Sequence, residues 1–202
     1  MPGTIKAVIW DMGGVLLQLV DDRPRQELAK KFSVTLGELD KLVFNSETAR
    51  LATLGAITEE EHWQQVGKTL GVPPADLRDF QLQFWTGTRV DDRLIEFIQK
   101  LRGSYQTALL SNAWSGARKA LTTYFDCLHV FDHIVISAEV KMAKPDPAIY
   151  LDVLKRLGAE PYQAVFVDDL QENIDTANWL GMHGIVFENS AQAMADVESK
   201  LA

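Results

Sequence analysis

The chain has 202 residues, of which 47% are apolar, so it can bury a full core as one domain or as one domain with a large insertion. Its formal net charge is −8 and it has no Lys/Arg-rich run, which argues against a nucleic-acid-binding role because phosphate backbones require clustered cations. The single cysteine, Cys127, excludes an internal disulfide and fits a reducing compartment. No apolar stretch approaches the ~20 residues that span a bilayer, and no signal-peptide pattern is present. We expect a cytoplasmic monomer or homodimer that binds neither membranes nor nucleic acids.

The first predicted element is a strand over residues 4–10. Its nearly continuous apolar character indicates burial on both faces, as in a parallel sheet. The strand ends in Asp11-Met12-Gly13-Gly14, where the glycines allow a tight loop and a close approach of the backbone to a ligand.

After this loop, apolar residues recur at helical spacing and strand-like runs are absent. The predicted helices cover residues 25–32, 35–54, 58–71 and 75–85. Capping-box spacing follows Thr35 and Thr58, as is typical of helix N-termini. We interpret residues 16–87 as a helical insertion, here called the cap, and residues 1–15 with 88–202 as the core.

Four side chains of the cap are candidates for a structural or a substrate-binding role. The aromatic residues Trp63 and Phe84 lie at helical spacing, which favours a place in the core of the cap. His62 is expected at the surface. Arg50 is a candidate contact for a substrate oxyanion, with an exposed helix arginine as the alternative.

From residue 88 onward, helices and strands alternate. The predicted strands cover residues 106–110, 133–136, 164–167 and 184–187, and the predicted helices cover 91–101, 117–124, 147–157, 173–180 and 191–201. Repeated βα units imply a doubly wound parallel sheet. The sequence therefore predicts an α/β, Rossmann-like fold with an inserted α-helical cap.

Polar residues that could carry chemistry follow the predicted strands. They are Asp11, Ser111, Asn112, Lys144, Asp168 and Asp169. Because the carboxyl ends of parallel strands share one edge of the sheet, these residues are expected around one pocket. A carboxylate nucleophile, a hydroxyl, a lysine and two further acids suit metal-assisted phosphoryl transfer through an aspartyl intermediate.

Four motifs resemble those of the haloacid dehalogenase-like hydrolases, a family dominated by Mg-dependent phosphatases. In chain order they are residues 8–16 (VIWDMGGVL), 109–112 (LLSN), 144–150 (KPDPAIY) and 165–169 (VFVDD). The resemblance covers nearly the whole chain and matches residues 16–87 to the family's small helical cap.

The resemblance implies a metal site and a nucleophile. The carboxylate matching Asp11 attacks phosphorus and forms an aspartyl phosphate. Asp169 would bind Mg²⁺ directly, whereas Asp168 would act through water or through Lys144. Magnesium favours such oxygen ligands, and the Gly13 carbonyl would complete the protein's share of them.

The resemblance also implies how the substrate phosphate is held. Lys144 would neutralise charge on the phosphoryl group and on Asp11. Ser111 would donate its hydroxyl to a phosphate oxygen, and Asn112 its backbone N–H. The ligand implied is a small phosphorylated molecule.

Gly13 departs from the family pattern. Most of the family's phosphatases carry a second aspartate there, a general acid/base of the kind that contributes about 10²–10⁴-fold. Asp21 or Asp22 could replace it, the substrate could have a good leaving group, or the protein could bind a ligand without turnover. Some family members with glycine at this position, close to a bacterial glucose-1-phosphate phosphatase type, are taken to be active phosphatases, and this chain resembles that branch.

The sequence favours Mg-dependent hydrolysis of a small phosphate monoester, with a sugar phosphate as one candidate. The first alternative is a non-catalytic module that binds a phosphorylated ligand or a partner. The second is a metal-free 2-haloacid dehalogenase, but that branch carries serines where Asp168 and Asp169 stand.

Overall fold

The computed structural model describes residues 4–202. The strands are β1 (Ala7–Trp10), β2 (Leu17–Leu19), β3 (Thr88–Val90), β4 (Gln106–Ser111), β5 (His133–Ile136), β6 (Ala164–Asp168) and β7 (His183–Val186). The helices are α1 (Arg23–Lys31), α2 (Leu36–Phe44), α3 (Glu47–Thr53), α4 (Glu59–Leu70), α5 (Leu77–Trp85), α6 (Asp92–Leu101), α7 (Ala117–Thr123), α8 (Ser137–Val140), α9 (Pro147–Leu157), α10 (Gln171–Trp179) and α11 (Ser190–Leu201).

A five-stranded sheet forms the centre of the molecule, with the order β5-β4-β1-β6-β7 and every pairing parallel. In the register of the central strand, Trp10 pairs with Leu109 on one side and with Val167 on the other. The residues that follow these three positions therefore emerge at the same edge. The predicted α/β fold with a parallel, Rossmann-like sheet is confirmed.

Side chains of β1 alternate between two apolar layers. Val8 and Trp10 pack on one face with residues of α6 and α11. Ala7 and Ile9 pack on the other face with residues of α9 and α10. Because both faces are covered by helices, the strand can be apolar throughout, which explains the unbroken run in the sequence.

Local signals set the ends of several helices. Thr58 forms a capping box with Glu61 at the start of α4, and Gly71 ends that helix in the left-handed conformation with φ 73°. Asp146 caps α9 by accepting a hydrogen bond from the Ala148 N–H at 2.9 Å. These boundaries were predicted and are confirmed.

The cap differs from the prediction in two places. The helix predicted over residues 35–54 is two helices, α2 and α3, because Ser46 accepts a hydrogen bond from the Ala49 N–H and starts a new helix. The helix predicted over 75–85 begins with a 3₁₀ turn, Pro74–Asp76, before α5.

An antiparallel ribbon of β2 and β3 was not predicted. Leu17 pairs with Val90 and Leu19 with Thr88, so the chain entering the cap helices lies beside the chain leaving them. Each strand has three residues, too few to give a periodic signal. We propose that the ribbon marks the joint between the cap and the core.

A core tryptophan inserts into the aromatic cluster of the cap. Trp114, in the loop after β4, lies with its ring centroid 4.6 Å from that of His62 and 5.8 Å from that of Trp63. Beside it, Glu59 accepts a hydrogen bond from the Gly116 N–H at 2.9 Å. The loop after β4 therefore fixes α4 against the core.

His62 is buried, so its predicted surface position is wrong. Its Nε2 lies 3.0 Å from the Val43 carbonyl oxygen and its Nδ1 lies 2.9 Å from Thr48 Oγ1. Burial lowers the pKa of His62 below its usual value, partly opposed by the hydrogen bond to Val43. The position of His62 four residues before the buried Val66 is compatible with burial, and the ring that covers it, Trp114, comes from another segment.

Within residues 4–202, no helix has both the length and the apolar character needed to cross a membrane.

Replacing His62 tests its burial as a neutral ring. The unfolded chain takes up a proton below about pH 6.5, whereas the folded chain resists it, so the free energy of unfolding should fall as the pH drops through that range. Urea unfolding between about pH 7 and about pH 5 should show a shallower fall for His62→Gln than for the wild type. His129→Gln, at an exposed position, is the control and should follow the wild type; equal slopes for all three proteins would contradict the prediction.

Candidate active site

A buried ion cluster lies at the carboxyl edge of the sheet. Lys144 Nζ is 2.6 Å from Asp11 Oδ1 and 2.5 Å from Asp168 Oδ2. All three side chains are buried. One ammonium group therefore bridges carboxylates that follow or end two neighbouring strands, β1 and β6.

Asn112 positions the lysine through its backbone. The side-chain amide of Asn112 donates to the Lys144 carbonyl at 2.8 Å, and its Oδ1 accepts from the Lys144 N–H at 2.8 Å. The sequence suggested a backbone N–H role for Asn112 but did not indicate this clamp, because the two residues lie in different loops.

Asp168 is held at both oxygens. While Oδ2 receives Lys144, Oδ1 accepts the Leu170 N–H and the Asn173 side-chain amide, each at 2.9 Å. Asn173 is itself fixed, since its carbonyl accepts the Tyr150 hydroxyl at 3.1 Å. Asp168 thus has no freedom to swing away from the lysine.

The electrostatics of the cluster reflect its burial. Desolvation raises the pKa of Asp11 to about 6, although Lys144 opposes this shift and Asp168 adds to it. Burial alone would lower the pKa of Lys144, but its two carboxylate partners raise it above the usual value. Lys144 is therefore charged, and Asp11 is mainly ionised at neutral pH.

The neighbouring Asp169 adds a third carboxylate. One oxygen each of Asp11, Asp168 and Asp169 lie within 4.8 Å of one another. Burial and the charge of Asp168 raise the pKa of Asp169, as expected where carboxylates outnumber the one ammonium. An oxygen-only donor set with excess negative charge fits a hard divalent cation such as Mg²⁺.

The two glycines that follow Asp11-Met12 differ in their surroundings. Gly14 has φ 78°, and a Cβ there would overlap the Asp169 carboxylate, so glycine is needed for the loop to pass that acid. A Cβ at Gly13 would meet nothing within 4 Å. Space for a side chain therefore exists at the position where the family's second aspartate would stand.

The cluster opens into a cavity of about 550 Å³. Its floor contains Asp11, Gly13, Ser111, Asn112, Lys144 and Asp169. Its roof comes from the ribbon and from three cap helices: Leu17, Leu19, Arg25, Phe44, Trp85 and Thr88. The structure thus brings five predicted site residues and Gly13 to one cavity, and places Asp168 behind Lys144.

Three other candidates do not line this cavity. Asp21 pairs with Arg23 at 2.7 Å, and the hydrogen bonds from Arg23 lower the pKa of Asp21 to about 2. Such a carboxyl group is a poor proton donor, and Asp22 likewise lies outside the lining. Arg50 is exposed and pairs with Glu47 at 2.6 Å, which matches the alternative of an exposed helix arginine and not a substrate contact.

Arg25 is the charged residue of the cavity that the sequence did not indicate. It is buried, its Nε donates to the Phe84 carbonyl at 3.0 Å, and its guanidinium carbon lies 4.1 Å from the centroid of the Phe84 ring. Asp40 pairs with its Nη1 at 3.3 Å. Arg25 lies three and four residues before the buried Leu28 and Ala29, so its position on α1 is on the inward face, and only its charge argued against burial.

Comparison with known proteins identifies the family. The model of the haloacid dehalogenase-like hydrolases matches residues 5–181. The chain belongs to this family. It is 30% identical to a sesquiterpene phosphatase of Aspergillus oryzae, over 93% of this chain and 92% of the relative. It is 29% identical to a D-ribitol-5-phosphate phosphatase of Bacteroides thetaiotaomicron, over 93% of this chain and 94% of the relative.

Solved structures of the family share the fold of this hydrolase. A variant of a family enzyme from Bacteroides thetaiotaomicron, in complex with magnesium and inorganic phosphate, superposes with a TM-score of 0.76 at 25% identity, covering 94% of this chain and 98% of that one. An L-2-haloacid dehalogenase of Xanthobacter autotrophicus gives a TM-score of 0.69 at 19% identity, covering 98% and 85%. The second likeness concerns the fold alone.

Removing the ammonium tests how strongly the hydrolase depends on this ion cluster. Lys144→Gln leaves two buried carboxylates without their counter-charge, so we expect the free energy of unfolding to fall by about 3–5 kcal/mol. Lys141→Gln, at an exposed lysine three positions earlier, is the matched control and should change it by less than about 0.5 kcal/mol. Urea titration of both variants gives the comparison, and equal effects would refute a structural role for the cluster.

Proposed function

We propose that this hydrolase is a Mg-dependent phosphatase that cleaves small phosphate monoesters through an aspartyl phosphate on Asp11. The observation that carries the proposal is the ion cluster of Asp11, Lys144 and Asp168 beside Asp169 at the floor of the cavity. Two relatives similar over nearly their whole length are phosphatases, which supports the same chemistry.

The donor set supports Mg²⁺ as the metal. Asp11, Asp169 and the Gly13 carbonyl would hold Mg²⁺, with Asp168 acting mainly through Lys144, to which it is bound at 2.5 Å. When bound, the ion supplies positive charge against the phosphoryl oxygens and the nucleophile.

In the first step, an Asp11 carboxylate oxygen attacks phosphorus and the bond from phosphorus to the ester oxygen breaks. The leaving alcohol takes the electron pair of that bond. Lys144 offsets negative charge on the transferring group, while the Ser111 hydroxyl and the Asn112 N–H donate to its oxygens. Asp11 needs no base to activate it, since a carboxyl group with a pKa of about 6 is mainly ionised at neutral pH.

In the second step, water attacks phosphorus, the bond to Asp11 breaks, and inorganic phosphate leaves with the carboxylate restored. No carboxyl group at Gly13 is available to protonate the alcohol or to activate the water. Asp21 does not replace it, because its pKa is about 2 and it lies outside the cavity. We propose that the leaving oxygen takes its proton from solvent, so the rate depends strongly on the leaving group.

Gly13 also favours a second candidate, a module that binds a phosphorylated ligand without turnover. The complete set of nucleophile, lysine and acids argues against it, since binding alone does not require an ionised nucleophile. The dehalogenase alternative is weaker still, because a triad of acids has no role in metal-free displacement of halide.

Replacing the nucleophile tests the mechanism. With p-nitrophenyl phosphate and Mg²⁺, Asp11→Asn should lose at least about 10³-fold in kcat, because the amide cannot form the intermediate. EDTA should abolish turnover by the wild type. Asp21→Asn should retain wild-type turnover, since Asp21 faces Arg23 and not the cavity; Asp11→Asn with undiminished activity would exclude the mechanism.

Restoring the missing acid tests the role of Gly13. Because its Cβ position is open, Gly13→Asp should fold and should raise kcat for an alkyl phosphate by about 10-fold or more, with little change for p-nitrophenyl phosphate. The matched control, Gly14→Asp, should lose activity, since a side chain there meets Asp169. If Gly13→Asp left kcat for the alkyl phosphate unchanged, protonation of the leaving group would not be the step that limits the wild-type enzyme.

A further inference from the structure

The roof of the cavity is mainly apolar. Leu17 and Leu19 come from β2, Phe44 from α2 and Trp85 from α5. Leu19 and Phe44 keep 39% and 41% of their surface exposed, although both are large apolar side chains. Apolar surface left open around one cavity indicates a ligand that covers it.

Polar groups of the roof are few. Arg25 uses Nε on the Phe84 carbonyl and Nη1 on Asp40, which leaves Nη2 without a partner among residues 4–202. The other polar lining residue, Thr88, has a buried hydroxyl with no partner among the same residues. Because the Thr88 hydroxyl is covered by protein, the roof offers a ligand at most the Arg25 Nη2 group and no partners for a series of hydroxyls.

This composition discriminates between two kinds of leaving group. A polyol placed under the roof would exchange hydrogen bonds to water for apolar contacts, and each unpaired hydroxyl weakens binding by roughly tenfold. An aliphatic chain gains about fourfold for each methylene that it buries there. The preference between the two classes should therefore be large.

We infer that the substrate is a phosphate monoester of an apolar alcohol, aliphatic or terpenoid, held by the roof residues Leu17, Leu19, Phe44 and Trp85. The inference rests on the proposed phosphatase function and replaces a sugar phosphate as its substrate class. The phosphatase relatives act on a sesquiterpene and on a ribitol phosphate, so similarity alone favours neither class. The lining of this cavity does favour one, because its floor binds the phosphate and its roof binds the remainder.

Matched substrates test the preference. Octyl phosphate and ribitol 5-phosphate are both esters of primary alcohols, so the lack of a general acid should slow the cleavage of both to a similar extent. With Mg²⁺ we expect kcat/KM for octyl phosphate to exceed that for ribitol 5-phosphate by at least about 10-fold. Equal values, or a preference for the polyol, would overturn the inference while leaving the phosphatase proposal intact if p-nitrophenyl phosphate is hydrolysed.

A pair of identical substitutions locates the effect in the roof. Leu19→Gln should raise KM for octyl phosphate about 10-fold and should lower its kcat/KM relative to that for ribitol 5-phosphate. Leu82→Gln replaces a leucine that is 55% exposed on α5 and lies outside the cavity lining, so both substrates should behave as with the wild type. Equal effects of the two variants would contradict the roof as the specificity site.

Binding measurements separate failure of this inference from failure of the proposed function. Calorimetry with Mg²⁺ should show octylphosphonate binding at least about 10-fold more tightly than methylphosphonate. That result, in a protein that hydrolyses none of the esters, would retain the apolar site and reject the phosphatase. Equal affinities would reject the apolar site whatever the turnover.

Discussion

A buried ammonium between two carboxylates is the interaction on which the site depends. Lys144 lies within 2.6 Å of Asp11 and of Asp168, where little water reaches any of the three. Burying such charges is costly, and removing one partner leaves the others uncompensated. The surroundings accordingly restrain the cluster: Asn112 binds the lysine backbone, and Asn173 binds the second oxygen of Asp168. Because desolvating these charges costs free energy, the cluster indicates a functional site at this edge of the sheet.

In the proposed mechanism, the floor of the cavity supplies groups for phosphate and metal but no acid for the leaving group. Gly14 must be glycine, because its positive φ and its contact with Asp169 exclude a side chain. Gly13 has no such constraint, since open space surrounds its Cβ position. The absence of a second acid is therefore a chemical feature and not a consequence of crowding. Without a general acid, the proposed reaction depends more strongly on how well the leaving group departs.

One loop links the chemistry of the floor to the packing of the roof. Asn112 clamps Lys144, and two residues later Trp114 inserts among the aromatic rings of the cap. The position of the loop after β4 is thus tied to the helices that supply Phe44 and Trp85 to the cavity. The floor of the cavity is charged and its roof is mainly apolar, so a ligand with one phosphate group and an apolar body would complement both.

The sequence by itself determined the alternation of strands and helices, several helix ends, and the set of polar residues that meet at the sheet edge. Periodicity and caps are local, and parallel strands must share their carboxyl edge, so Asp11 and Asp169 could be assigned to one pocket without coordinates. Only the tertiary structure decided which polar residues are buried. Arg25 and His62 lie on the inward faces of their own helices, but as polar residues they are buried only because segments distant in sequence supply their partners. A helix pattern records one element's own face, whereas burial of a polar group depends on the partners that other elements bring.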